Sequence, residues 1–396
     1  MSLPAIKIRL SIVLAVFLAY LPKLSAQDNQ NSFVVAPIEG IKIFAPQTDP
    51  LKGNFWGVDV AYRINMHENN TAWIKKLHVK DIAITARYLD LQNIYFSSNA
   101  ATKGFLGNTF AAFTIVDIQL WQTGNTLLLF TPGVGMVYDT KSYYNNVYNS
   151  LIGSAVNLGL NAGVKVETPV SSATRFTAGI NAFHYSNSGS KLPNYGITNL
   201  NATVGVITSL DATGTNRELA HFDTGDKNSF EFGIGLGRRG LVQTSDYVKQ
   251  IPGNMMKPID SVKQRNAASH LYMMGLYAGY NYRLNPIVSL RAGTDVVYYF
   301  KPFNENDFAD TYQASGSSYD KYSLGASLGA DLWLGRLVLA GSYGYYLHYA
   351  SITPEHFYWN LGGKYYLNRW VALNAKIYLH GTEAQYANFG LAFNVY

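Results

Sequence analysis

The chain has 396 residues, with 31 Lys and Arg against 25 Asp and Glu for a formal net charge of +6. That weak excess holds no basic run of the kind nucleic acid requires, and the absence of cysteine closes both the disulfide and the lipoprotein routes. Charged residues make up only 14% while Tyr numbers 30, Phe 20 and Gly 35, yet no segment past the N-terminus is apolar for long enough to cross a membrane as a helix.

Residues 1–26 read as a cleaved signal peptide. Lys7 and Arg9 form a positive start, Leu10 to Leu21 an apolar run too short for a comfortable span, and Leu24-Ser25-Ala26 a small-residue cleavage site before Gln27. Cleavage there removes Lys7, Arg9 and Lys23, which lowers the formal net charge from +6 to +3. A retained anchor is the alternative. Residues 27–396 are then predicted to form one outer-membrane β-barrel, placed there by the outer-membrane insertion machinery.

Alternation of apolar and polar residues carries the fold prediction. Phe176, Ala178, Ile180 and Ala182 share a face that continues to His184 and Ser186, opposite Arg175, Thr177, Gly179, Asn181, Phe183 and Tyr185. The next strand repeats the pattern with Thr198, Leu200, Ala202, Val204 and Val206. Gly235-Leu236-Gly237-Arg238-Arg239-Gly240 matches a dinucleotide-binding pattern literally, but it continues a strand, opens no helix and has no acidic partner. Leu337, Leu339, Gly341, Tyr343, Tyr345 and Leu347 form another face, opposite Arg336, Ser342 and His348. Val371, Leu373, Ala375, Ile377 and Leu379 form one more, and Phe389, Leu391, Phe393 and Val395 the last.

Period two sustained over about ten residues is what a tilted membrane strand needs. The predicted fold is therefore all-β, a transmembrane antiparallel up-and-down barrel of about 14 strands, within a range of roughly 12 to 16. A soluble sandwich would alternate similarly, on shorter strands with more charge outside. Short turns are predicted around Pro169 to Ser172, Leu284 to Pro286, Leu334 to Arg336 and Leu367 to Arg369. The long connections are 139–152, 211–228, 241–268 and 301–320. Barrels keep short turns in the periplasm, so His184 and Ser186 belong at the outer-leaflet end of their strand, on the lipid face.

Two residues apart on one strand face, His184 and Ser186 have Cα atoms roughly 6.5 Å apart, within reach of a serine–imidazole contact. That is a minimal general base and nucleophile. The same pair also suits an interfacial His and Ser that only hydrogen-bond lipid headgroups. His67, His78, His221, His270 and His356 have no ligand spacing with one another, so no metal is expected, and a serine esterase needs no cofactor.

His184-Tyr185-Ser186-Asn187-Ser188-Gly189, followed by Pro193-Asn194-Tyr195-Gly196-Ile197, resembles the active-site segment of the PagL-type lipid A 3-O-deacylases. Phe130-Thr131-Pro132-Gly133-Val134-Gly135, Tyr138 and Ile152-Gly153-Ser154 are similar to larger acyloxyacyl hydrolases of that kind. The close likeness runs over about residues 125–210, with a looser one over most of the chain. It implies an outer-membrane serine esterase removing an ester-linked acyl chain from lipid A, with His184 as base and Ser186 as nucleophile. Asn194 and the Gly189 N–H would hold the oxyanion. The family's acid, a Glu that orients the histidine, falls where this chain has Thr198, and Glu167 is expected on the lumen side at the wrong end. The alternative is a barrel that keeps the scaffold without catalysis, as a channel or a wall protein. An adhesin or receptor built on the long loops is a third reading.

Overall fold

Every long strand pairs antiparallel with both of its neighbours, and the pairings close twice. The computed structural model describes residues 30–45, 49–67, 69–146, 148–191, 193–210, 222, 226–239, 271–300, 321–349, 356–381 and 383–396. The expected signal peptide and most of the connections 211–228, 241–268 and 301–320 lie outside the described residues.

The first closure uses β1 (Ser32–Phe44), β3 (Trp56–Asn65), β4 (Val79–Asp90), β6 (Asn108–Thr123), β7 (Thr126–Phe130), β8 (Gly133–Asp139), β9 (Val156–Pro169), β10 (Thr174–Ser186) and β11 (Ile197–Ser209). Strands β7 and β8 are halves of one stave, because both pair with β6 on one side and β9 on the other. Pro132 marks the break, where a residue without an N–H cannot donate to the ladder. Pairing of β9 with β10, β10 with β11 and β11 with β1 completes a ring of eight staves. β2 (Leu51–Lys52) and β5 (Tyr95–Phe96) form a small separate sheet. The second closure is β12 (Asn228–Arg239), β13 (Leu271–Asn285), β14 (Val288–Tyr299), β15 (Tyr322–Leu334), β16 (Leu337–His348), β17 (Phe357–Tyr366), β18 (Val371–His380) and β19 (Glu383–Val395), again a ring of eight.

The all-β antiparallel barrel architecture is thus borne out, and the staves of the two rings together reach the upper end of the expected range. What differs is the closure: the single ring of about 14 strands expected from the pattern is two rings. Alternation tells each residue which face it occupies but not which strand lies beside it, so one ring and two rings look the same in sequence. Either closure satisfies every backbone N–H and C=O without an edge in the hydrocarbon.

The faces are as the alternation predicts. Ile180 is 51% exposed, whereas Phe183 and Tyr185 on the opposite face are fully buried. A ring of eight staves is just wide enough for side chains to fill, and both lumens contain paired charges. In the first, Arg87 Nε and Nη2 donate to the two oxygens of Asp59 at 2.7 Å each. Below it, Arg63 meets Asp81, Asp117 and Glu167, and Lys165 meets Asp117 at 2.8 Å and Glu167 at 3.1 Å. In the second, Lys364 donates to Glu231 and Asp331 at 2.6 Å each, and Asp295 accepts from Lys376, Tyr358 and Ser327. Asn181 of the first ring and Lys376 of the second are buried in these interiors. Arg336 instead donates to the carbonyls of Tyr366 and Leu367, tying two short turns together.

The expected short turns join β9 to β10, β13 to β14, β15 to β16 and β17 to β18. A short helix, α1 (Ala72–Lys76), links β3 to β4 at the short-turn end of the first ring, and its buried Trp73 lies beside Gly335 in the β15–β16 turn. Ile287 and Leu334 of the second ring pack on the same apolar cluster. At the long-loop end, the connection after β10 meets β19 at Ala384 and Gln385. The rings therefore stand side by side with their long loops at the same end.

Candidate active site

His184 and Ser186 end β10 on its outward face, at the opposite end from the 170–173 turn. The register sets His184 against Thr198 of β11 and Ser186 against Leu158 of β9. His184 Nδ1 lies 2.9 Å from Thr198 Oγ1. Both side chains are half-buried, as is Ser186. The hydroxyl can accept from Nδ1–H or donate to Nδ1, and in the first arrangement Nε2 carries the ring's lone pair.

Gly196 supports the ring from below, a role that sequence reading did not assign. Its φ is +73°, and a Cβ there would stand 2.7 Å from His184 Cε1 and 3.2 Å from Nε2. Only glycine adopts this backbone freely while leaving space for the imidazole. The sequence signal was present, since Gly196 belongs to the quoted motif.

The connection from β10 to β11 is held by its asparagines. The Asn187 N–H donates to Asn194 Oδ1 at 2.8 Å, so the amide oxygen is the acceptor and the NH2 is the remaining donor of that side chain. Asn187 Nδ2 donates to the Lys191 carbonyl at 2.6 Å, and its Oδ1 accepts the Lys191 N–H at 3.2 Å. Between them Ser188 and Gly189 both have left-handed backbones, with φ of 55° and 75°. For Ser188 that is a strained conformation, of the kind that surrounding contacts must hold in place.

The upstream stretch noted in the sequence braces the same segment. The Gly153 N–H donates to the Pro193 carbonyl at 2.6 Å, and the Tyr195 N–H to Leu151 at 2.9 Å. Ile152 and Asn194 thereby form an isolated antiparallel bridge. On the lumen side of β10, Tyr185 lies 3.2 Å from Thr109 Oγ1, which donates to Asp139, and Arg87 caps the Phe183 ring. The strand carrying the pair is therefore fixed from behind.

The structure brings His184, Ser186 and Thr198 to one outward face, with Asn194 and Gly189 on the loop that follows. Glu167 is in the lumen with Arg63 and Lys165, on the strand facing the 170–173 end, as expected.

Two family models match the chain: lipid A 3-O-deacylase (PagL) over residues 56–206, and the acyloxyacyl hydrolase C-terminal domain over residues 240–396. The first begins at β3 and ends within β11, and the second covers most of the second ring. No curated protein matches the sequence. Among solved structures, the crystal structure of the outer membrane enzyme PagL is 15% identical, covering 45% of this chain and 99% of that one with a TM-score of 0.28. The Acinetobacter baumannii outer membrane protein Omp33 is 7% identical, covering 93% and 100% with a TM-score of 0.16. TM-scores this low add nothing to the fold, which rests on the strand pairing itself. With one model on each ring, the chain belongs to the PagL-type acyloxyacyl hydrolase family of outer-membrane barrels.

Proposed function

We propose that the protein is an outer-membrane serine esterase that removes an ester-linked acyl chain from lipid A. The observation that carries this reading is the 2.9 Å contact between His184 Nδ1 and Thr198 Oγ1 on the lipid side of β10, with Ser186 next on the same face. An acyl chain in the outer leaflet runs along the apolar wall of Phe176 and Ile180, which carries its ester up the strand toward Ser186.

With Thr198 holding Nδ1–H, His184 Nε2 takes the Ser186 proton as Oγ bonds to the ester carbonyl carbon. The carbonyl oxygen becomes an oxyanion, and the Gly189 N–H and the Asn194 amide donate to it, worth about 3 kcal/mol per donor in sites of this kind. Collapse breaks the bond to the sugar oxygen, which leaves with the proton from His184. Water then attacks the acyl-serine with His184 again as base, releasing a fatty acid and restoring Ser186. Thr198 orients the imidazole but adds no charge to offset the imidazolium, so the rate falls below that of a site with a carboxylate there.

The test is mass spectrometry of lipid A from cells expressing the wild type or Ser186→Ala. Loss of one acyl chain in the wild type alone supports the assignment; deacylation at equal rates by both proteins sinks it. Thr198 in place of Glu favours a second reading, a barrel without catalysis. As a channel it would conduct in planar bilayers and leave lipid A unchanged. The salt-bridged interiors of both rings speak against an open pore.

A further inference from the structure

The second ring touches the first at the connection that carries the proposed oxyanion donors. Gly189 is buried, and a Cβ there would overlap the main-chain carbonyls of Ala384 and Gln385 on β19. Those two residues belong to a β-bulge. In the β18–β19 ladder Tyr378 pairs with Tyr386 and Leu379 with Ala384, so Gln385 is an extra residue between them. Among the described residues the ladder from β19 to β12 ends at Tyr386. A bulge leaves its extra residue out of the pairing and bends the strand. Here it sets two carbonyls against the first ring, where only a residue without a side chain can approach. Ala387, on the outward face of β19, is 5% exposed, whereas Phe389 further along that face is 55% exposed. The outer wall of β19 is thus covered beside the bulge and open below it.

The turn pressed on the bulge is one that its own sequence fixes poorly. The Ser190 N–H donates to the Asn187 carbonyl at 3.1 Å, which closes a turn around Ser188 and Gly189. Both central residues have left-handed backbones, with φ of 55° and 75°. Turns of this mirror-image kind favour Asn, Asp or Gly at the first central position, not Ser. Ser188 is nevertheless held there, 2% exposed, beside an Asn187 that is 5% exposed. The Asn187 side chain holds the Lys191 main chain in both directions, and the bulge adds a second support at Gly189. The Asn187 N–H in turn holds Asn194 through its Oδ1. Both proposed oxyanion donors, the Gly189 N–H and the Asn194 amide, therefore depend on a single turn.

We propose that the β19 bulge at Ala384 and Gln385 is a positioning element for deacylation, its two carbonyls buttressing the turn that carries the oxyanion donors. The proposal rests on the deacylase reading and deepens it: the second ring completes the site that the first ring bears. The bulge touches no reacting atom. It acts through Gly189, so that a turn released from β19 carries the N–H away from the developing oxyanion. A donor of this kind works only at hydrogen-bond distance from where the charge forms.

The test deletes Gln385 in the full chain, which makes the β18–β19 register regular. Heat-modifiable migration on gels establishes that the barrels have folded. The first readout needs no activity: trypsin cuts after Lys191, in the same connection. Cleavage is expected to be about tenfold faster in the folded deletion variant, because local opening governs proteolysis of a native loop. The second readout compares hydrolysis of a nitrophenyl ester with that of its thionoester in detergent micelles. Sulfur accepts hydrogen bonds poorly, so the ratio of the two rates reports on the oxyanion donors. The deletion is expected to lower kcat on the oxygen ester about a hundredfold with little change in KM, while the thionoester rate falls far less. Gln385→Ala keeps the extra residue and both carbonyls, and restores most of the ratio. Equal cleavage after Lys191 in wild type and deletion variant overturns the buttress and leaves the deacylase reading intact. An equal fall on both esters is a general structural loss and overturns it too, as does a Gln385→Ala protein that behaves like the deletion. A wild-type protein that leaves both the ester and lipid A intact removes the deacylase reading, and the positioning role with it.

Discussion

The two rings have the same number of staves, the same antiparallel order and the same kind of interior, and the candidate residues His184 and Ser186 share one outward face of the first. In the first ring, Arg63 and Arg87 neutralise buried carboxylates; in the second, Lys364, Arg291 and Lys376 do the same. Above the charges, the second ring adds a stack of tyrosines in its lumen, with Tyr346 on Tyr358 and Tyr378 on Tyr386 at ring separations of 4.2 Å and 4.6 Å. Filled interiors of this kind stabilise a wall and offer no chemistry to the membrane. In the function proposed above, the chemistry falls instead to the few polar groups that the alternation turns outward.

The sharpest way to break this division is Ser186→Ala. Deacylation is expected to drop by about a thousandfold or more, as for other activated serines, with folding of both rings unchanged. Lipid A mass spectra together with heat-modifiable gel migration check both halves of that statement.

Arg63→Met and Lys364→Met test whether the rings are separate in energy as well as in pairing. Removing one partner from a buried charge network costs about 3–5 kcal/mol, because the remaining charges stay desolvated. Urea unfolding in lipid vesicles is expected to show two transitions, with Arg63→Met moving one and Lys364→Met the other. One shared transition shifted equally by both would show that the rings fold as a unit.

Gly196→Ala is expected to lower deacylation by about a hundredfold, because the new methyl displaces the His184 ring from beneath and a small misplacement of catalytic groups has effects of that size. Thr198→Val removes the hydroxyl at Nδ1 and is expected to lower the rate about tenfold, while Thr198→Glu raises it by supplying charge to the imidazolium. A Thr198→Val protein as fast as the wild type would show that the tautomer is set elsewhere. The smallest effect belongs to the second ring: Ser327→Ala removes one donor to Asp295 and is expected to reduce stability by about 1 kcal/mol, without altering the acyl pattern of lipid A.

Much of the site was legible because strand periodicity and function use the same faces. His184, Ser186 and Thr198 are at even positions of two neighbouring strands, so the alternation alone put them outside. The turn lengths put them at the long-loop end. Gly196, Ser188 and Asn187 stand in the quoted motifs, but their roles were not legible, since these depend on left-handed backbone and on hydrogen bonds that close within a loop.

The sequence by itself determined the all-β fold, the face of each residue and the end of the barrel that bears the candidate pair. Those follow from a period of two and from the expense of placing polar groups in lipid, both of which act residue by residue. Closure into two rings, and the contact between them at Gly189, were decided only by the tertiary structure. Which strand lies beside which is settled by pairing over the whole chain, where β11 meets β1 and β19 meets β12 across long sequence separations.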